Sequence, residues 1–120
     1  VTAIPPTIVC IQHLLDQVPE LRPLYEEHLH DYDELLPHVF LGDVTRYVVQ
    51  QVRSGDTCPS KLVKRILESL EQCMASGDER AKELVSVSFI ENLANHSDVL
   101  AKLYGQLGPN LSTELKNHGI

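Results

Sequence analysis

The sequence predicts an all-α fold, and two observations carry that expectation. Apolar residues return with a helical period through successive segments of the chain. Each segment is bounded by residues that start or stop helices. The β-prone pieces, Val48-Val49 and Val85-Ser86-Val87-Ser88, lie inside longer helical patterns, so segment length decides for helix. The expected architecture is a compact bundle of about five to six helices. Two stacked antiparallel hairpins, in the manner of a short α-solenoid, are one way to arrange them, though no internal repeat supports a true repeat protein. A single domain is expected over residues 1–120, with a core over 7–107 and a tail over 108–120.

Thr7 is placed to cap the first helix, whose stripe is Ile8, Ile11, Leu14, Leu15 and Val18. Pro19 ends it, because the residue before a proline is pushed out of the helical region. The second helix runs from Glu20 to Asp33, with Leu21, Leu24, Tyr25, His28, Leu29 and Tyr32 on its apolar face. Residues Glu34 to Pro37 read as a break. The third helix, His38 to Arg53, is apolar round much of its circumference and is expected to be central. Gly55 in Ser54-Gly55-Asp56 is its expected left-handed cap. The fourth begins near Pro59-Ser60 and stops at Gly77. Asp78 caps the fifth, a second central helix carrying Ala81, Leu84, Val85, Ser88, Phe89 and Leu93. The sixth is short, from a cap at Asp98 to Leu107, and Gly108-Pro109 ends it. Beyond it, Leu111 and Leu115 offer the tail one or two further turns as the alternative to fraying.

Composition excludes several function classes. No apolar run approaches the ~20 residues that cross a bilayer, so no membrane partner is expected. The N-terminus shows no charged leader before an apolar stretch, so no signal peptide is expected. Val1 is not an initiator methionine, so leading residues are expected to be missing from this numbering. The three cysteines, Cys10, Cys58 and Cys73, are odd in number and none are at Cys-x-x-Cys spacing. That argues against a disulfide framework and against a zinc site. Buried free thiols in a reducing, cytoplasmic compartment are expected. The formal charge of −7 disfavours binding to nucleic-acid phosphates. That charge is local. Asp16, Glu20, Glu26, Glu27, Asp31, Asp33, Glu34 and Asp43 face a single base, Arg22, while the rest of the chain balances.

The richest segment for chemistry is 26–38, with three histidines and five carboxylates. Glu26 and Glu27 lie one helical turn before His30, and Glu27 one turn before Asp31, the spacings at which two ligands share a helix face. His28, His30, Asp31 and His38, with His96 and His118 as distant candidates, therefore define a metal-binding or metal-dependent hydrolytic alternative. The His30-Asp31 pair is the dipeptide of some metal-dependent phosphohydrolases, but the further His and Asp such sites need are not placed by the sequence. The weightier reading is a solvated acidic helix face, with no metal and no cofactor. Cys58 stands near a helix start, where a thiol is activated, yet has no companion base. No nucleophile elbow and no phosphate-cradling glycine loop occurs, so no catalytic residue is assigned. Asp43 and Arg46, a turn apart on a central helix, read as a structural ion pair, with a cleft as the alternative and Ser88 and Asn92 as polar groups to satisfy it.

Two stretches carry a resemblance. One is Leu36-Pro37-His38-Val39-Phe40-Leu41-Gly42-Asp43-Val44-Thr45-Arg46. The other is Gly77-Asp78-Glu79-Arg80 followed by Val85-Ser86-Val87-Ser88-Phe89-Ile90-Glu91-Asn92-Leu93. Over residues 8–95 the chain is similar to a bacterial family of short, acidic, all-helical domains that look like the single-domain immunity proteins of toxin systems. The resemblance implies no catalytic residues. It places Asp43, Arg46, Glu91 and Asn92 in a shared pattern, read as a structural polar cluster. The expected function is non-catalytic binding, in which Glu26, Glu27, His30, Asp31, Asp33 and Glu34 face a basic, toxin-like protein.

Overall fold

The computed structural model describes residues 4–55 and 60–118, and every regular element among them is helical. The chain opens with α1 (Pro6–Gln17), capped by Pro5 with Pro6 in the first turn. Thr7 therefore sits inside the helix rather than at its cap, because a proline fits the first turn without losing a hydrogen bond. Val18 leaves helical geometry at φ −130° before Pro19. A 3-10 turn, Pro19–Leu21, leads into α2 (Arg22–Tyr32). Asp33 ends α2 in left-handed backbone at φ 61°, its N–H donating to Leu29 O at 2.8 Å. A short polar side chain tolerates that conformation better than most.

The central helix α3 (Pro37–Ser54) follows. Gly55 is extended, at φ −90° and ψ 139°, so the expected left-handed cap is absent there. The readings placed on Asp56, Cys58 and Pro59 fall outside the described residues. In α4 (Lys61–Ala75), Ser60 Oγ accepts the Val63 N–H at 3.2 Å. Gly77, at φ 81°, makes the left-handed stop. Asp78 caps α5 (Glu79–Val85), accepting from Arg80 and Ala81 N–H at 2.9 and 3.2 Å. The rod continues through a π-helical turn, Ser86–Ile90, into α6 (Glu91–Ala94). Helix α7 (Ser97–Leu103) begins one residue before Asp98, so Asp98 occupies its first turn instead of its cap. A 3-10 turn, Tyr104–Gln106, precedes α8 (Pro109–Asn117).

Helix α1 lies across α4 and α5, α3 packs on the π-helical turn, and α8 packs on α4. Phe40 and Phe89 are the largest fully enclosed side chains of one continuous core. Leu111 and Leu115 are fully buried in that same core, so residues 109–117 are a packed helix and not a tail. Their helix is held by a borrowed cap. Glu71 on α4 accepts from the Asn110 and Leu111 N–H groups, both at 3.0 Å, and from Asn110 Nδ2 at 2.6 Å. Gly108 makes room for it, since a Cβ at that position would overlap the Glu71 carboxylate.

The π turn also opens a carbonyl to side chains. Ser88 O accepts from Asn92 Nδ2 at 2.8 Å and from buried Thr45 Oγ1 at 2.9 Å, which ties α3 to the rod. Cys10 and Cys73 are buried free thiols facing each other across α1 and α4, with Cys73 Sγ 3.8 Å from Cys10 O. The contact with Cys73, reinforced by burial, holds the Cys10 thiol well above its ordinary range. No helix among the described residues is long and apolar enough to cross a membrane.

Candidate functional site

A groove of about 730 Å³ runs between α2 and α3. Its α2 wall is Leu24, Glu27, His28, Asp31 and Tyr32, and its α3 wall is Asp43, Arg46, Tyr47, Gln50 and Arg53. His96, before α7, lines it as well. The α2 residues recur one turn apart, which is why one face of the helix supplies a whole wall. The α3 residues do the same at 43, 46, 47, 50 and 53. That polar stripe on an otherwise apolar helix is a signal the sequence carried and the reading above passed over. Tyr47, Gln50 and Arg53 were consequently not named as site residues.

His28 is the buried member, at 2% exposure. Its ring lies against Phe40 and Tyr32, with centroids 5.5 and 4.9 Å away. Leu36 N–H donates to His28 Nε2 at 3.0 Å. Because Nε2 accepts, the neutral ring carries its proton on Nδ1. That Nδ1 is buried and has no hydrogen-bond partner among the described residues. Asp43 Oδ2 stands 3.9 Å away, beyond hydrogen-bond reach. An unsatisfied buried donor of this kind costs about 1–3 kcal/mol, a strained feature beside an open groove.

The six α2 residues expected at a partner surface divide between two faces. Glu27 and Asp31 line the groove, whereas Glu26, His30, Asp33 and Glu34 do not. All six are exposed, and none of their five carboxylates has an ion-pair partner among the described residues. Carboxylates elsewhere are mostly engaged: Glu20 with Arg65, Asp43 with Arg46, Asp98 with Arg53, and Glu71 at the start of α8.

The residues read as one structural polar cluster separate. Asp43 and Arg46 pair at the groove, with Arg46 67% exposed. Asn92 bonds the π-turn carbonyl, close to Arg46 across Gly42. Glu91 instead faces His118 on α8, at 3.7 Å. The buried polar connection at the heart of the fold is made by Thr45, and the Asp43–Arg46 pair lines a cleft. The pattern in the sequence named neighbours along the chain, and the π turn sends Glu91 and Asn92 to different helices.

The histidines and acids of 26–38 do not converge. His38 Nδ1 is bonded to Ser88 Oγ at 2.8 Å, His96 Nδ1 lies 3.3 Å from Arg53, and His118 contacts Ser86, Glu91 and Glu114. Among the described residues no three His, Cys, Asp or Glu side chains are arranged to hold a metal. His28 is also oriented against ligation. A metal-bound histidine donates from its second ring nitrogen, and here that nitrogen accepts.

At the groove's end, Arg53 grips Asp98 through two bonds of 3.0 Å. The Arg53 guanidinium holds the Asp98 carboxyl down to about 2. A depressed carboxyl pKa stabilises the folded state above the unfolded value, about 3.9, and that contribution fades as pH falls toward the folded value. Asp98→Asn is therefore expected to melt slightly below the parent at pH 7. The two curves should converge as the pH approaches the lowered value, measured by thermal denaturation across pH. A gap that persists at low pH would show that the carboxylate charge is not the cause.

A family model described as a domain of unknown function (DUF7674) matches residues 11–119. The chain belongs to the DUF7674 family. No curated protein and no solved structure matches it. The match extends through α8, in keeping with the burial of Leu111 and Leu115 in the core of this DUF7674 domain.

Proposed function

We propose that this DUF7674 domain is a non-catalytic binding module that presents the acidic face of α2 to a basic protein partner. One observation carries the reading: five exposed carboxylates, Glu26, Glu27, Asp31, Asp33 and Glu34, gathered on and just after one short helix without a compensating base, while most others in the chain are paired or cap a helix. Like charges held together in this way raise association rates with a basic surface and repel the wrong partners. An immunity protein that neutralises a toxin enzyme in the bacterial cytoplasm is the member of this class that the sequence resemblance favours. The free thiols Cys10 and Cys73 suit a reducing compartment.

The test begins with capture from a bacterial lysate at low and moderate salt. A basic partner that dissociates as salt rises is expected. Replacing Glu27, Asp31 and Glu34 together by lysine is then expected to leave the helical circular-dichroism spectrum unchanged and to slow association with that partner by about tenfold or more at low salt. An unchanged association rate would mean that the acidic face serves solubility and that the interface lies elsewhere.

A further inference from the structure

We propose that the α2/α3 groove is the recognition pocket of this module and that it takes an extended basic segment of the partner. In this arrangement one arginine or lysine is seated against Glu27 and Asp31, and a backbone carbonyl of the segment accepts the orphaned His28 Nδ1–H. The inference rests on the acidic-face reading and adds to it where on α2 the partner lies and which atoms it must offer.

Two independent needs of the groove meet in one occupant. Glu27 and Asp31, one turn apart, face the groove with no base opposite them that is free of another acid: Arg46 is held by Asp43 and Arg53 by Asp98. A cation from outside is what they lack. His28 Nδ1–H needs an acceptor, and no described residue supplies one. A metal ion or a simple ammonium meets only the first need. A peptide residue with a cationic side chain meets both, since its carbonyl is an acceptor set a few bonds from the charge. Tyr32 and Tyr47, one on each wall, offer aromatic surface for the aliphatic stem and the head group.

The His28 nitrogen is closed to solvent as the groove stands, so one wall must move for a carbonyl to reach it. The Asp43–Arg46 pair is the wall with that freedom. Arg46 is 67% exposed and Asp43 27% exposed at the side chain, and both sit on the groove edge rather than in the core. Displacing Arg46 from Asp43 also leaves that carboxylate open to a peptide N–H or to the incoming cation.

The experiment uses the full chain labelled with 15N. The probe is a capped Gly-Gly-Arg-Gly-Gly peptide, with the citrulline peptide, which keeps the shape and loses the charge, as its control. The arginine peptide is expected to shift the amides of Leu36, Tyr47 and Gln50 and to move the His28 Nδ1–H resonance downfield as it gains an acceptor, while the citrulline peptide does neither. The paired variant Glu27→Gln/Asp31→Asn is expected to weaken binding by about tenfold, and Glu26→Gln/Asp33→Asn, on the outer face, by less than about twofold. Shifts confined to the outer face, with equal losses in the two variants, would overturn the groove and leave the acidic-face reading standing. No shift with either peptide would overturn the groove and count against the acidic face as well.

Discussion

Phe40→Ala is expected to lower stability by about 3–5 kcal/mol, a fall in melting temperature of roughly 10–20 °C for a chain of this size. Phe40 is fully enclosed. Its ring meets Tyr25 edge-on at 5.5 Å and His28 at the same distance. It is thus the apolar post on which α2 stands. Apart from the 3-10 turn leading into it, α2 packs principally on α3, so a cavity at this position loosens α2 more than any other helix. Denaturant titration measures the global loss. Amide exchange measures its distribution, with Leu29 and its neighbours in α2 expected to lose more protection than Leu67 and Leu70 in α4. Uniform loss across both helices would mean that α2 is held by something other than Phe40. Phe40→Leu keeps most of the volume and is expected to cost less than half as much.

Glu71→Ala is expected to destabilise the fold by about 2 kcal/mol. The reason is local to one carboxylate. Helix α8 begins with Pro109 and has no cap of its own, as Gly108 carries no side chain. Glu71 supplies the missing acceptor from another helix, and its charge complements the positive end of the α8 dipole. Gly108→Ala is expected to reproduce the loss without touching Glu71, because the added methyl would displace the carboxylate. The double variant should cost little more than either single one, since both changes remove the same interaction. Chemical denaturation of the four proteins checks this. Fully additive losses would show that Gly108 and Glu71 act separately.

These cases mark what the sequence could and could not tell. Local periodicity sufficed for α1, α3 and α4, whose apolar stripes are the buried faces. His28 lay in the apolar stripe of α2 and is indeed buried. The caps at Ser60 and Asp78 and the stop at Gly77 depend on residues within a turn of each other, and they were legible for that reason. The cap of α8 was not, because its acceptor lies some forty positions earlier in the chain, in Glu71. For the same reason the groove was half visible. Its acidic wall follows from the spacing of Glu27 and Asp31. Its other wall and its orphaned donor follow from how α3 meets α2 and from a backbone N–H at Leu36 reaching a side chain. No pattern of residue types records that a histidine nitrogen lacks a partner.

The π-helical turn has a consequence for how this domain can change over time. Such a turn holds one residue more than an α-helical turn, and here Glu91 N–H reaches back to Ser86 O. Before it, Leu84 and Val85 belong to the half that packs with α1 and α4; after it, Leu93 belongs to the half that packs with α3 and α7. The two halves of the rod are out of phase by that single residue. Losing one position, even solvent-facing Val87, would turn everything beyond it by about 100° and carry Leu93 and Asn92 away from their partners. Length in this stretch is therefore under tighter constraint than residue identity. Descendants of this chain can exchange Val87 for many other residues, but they can drop it only if α3 is re-cut to match.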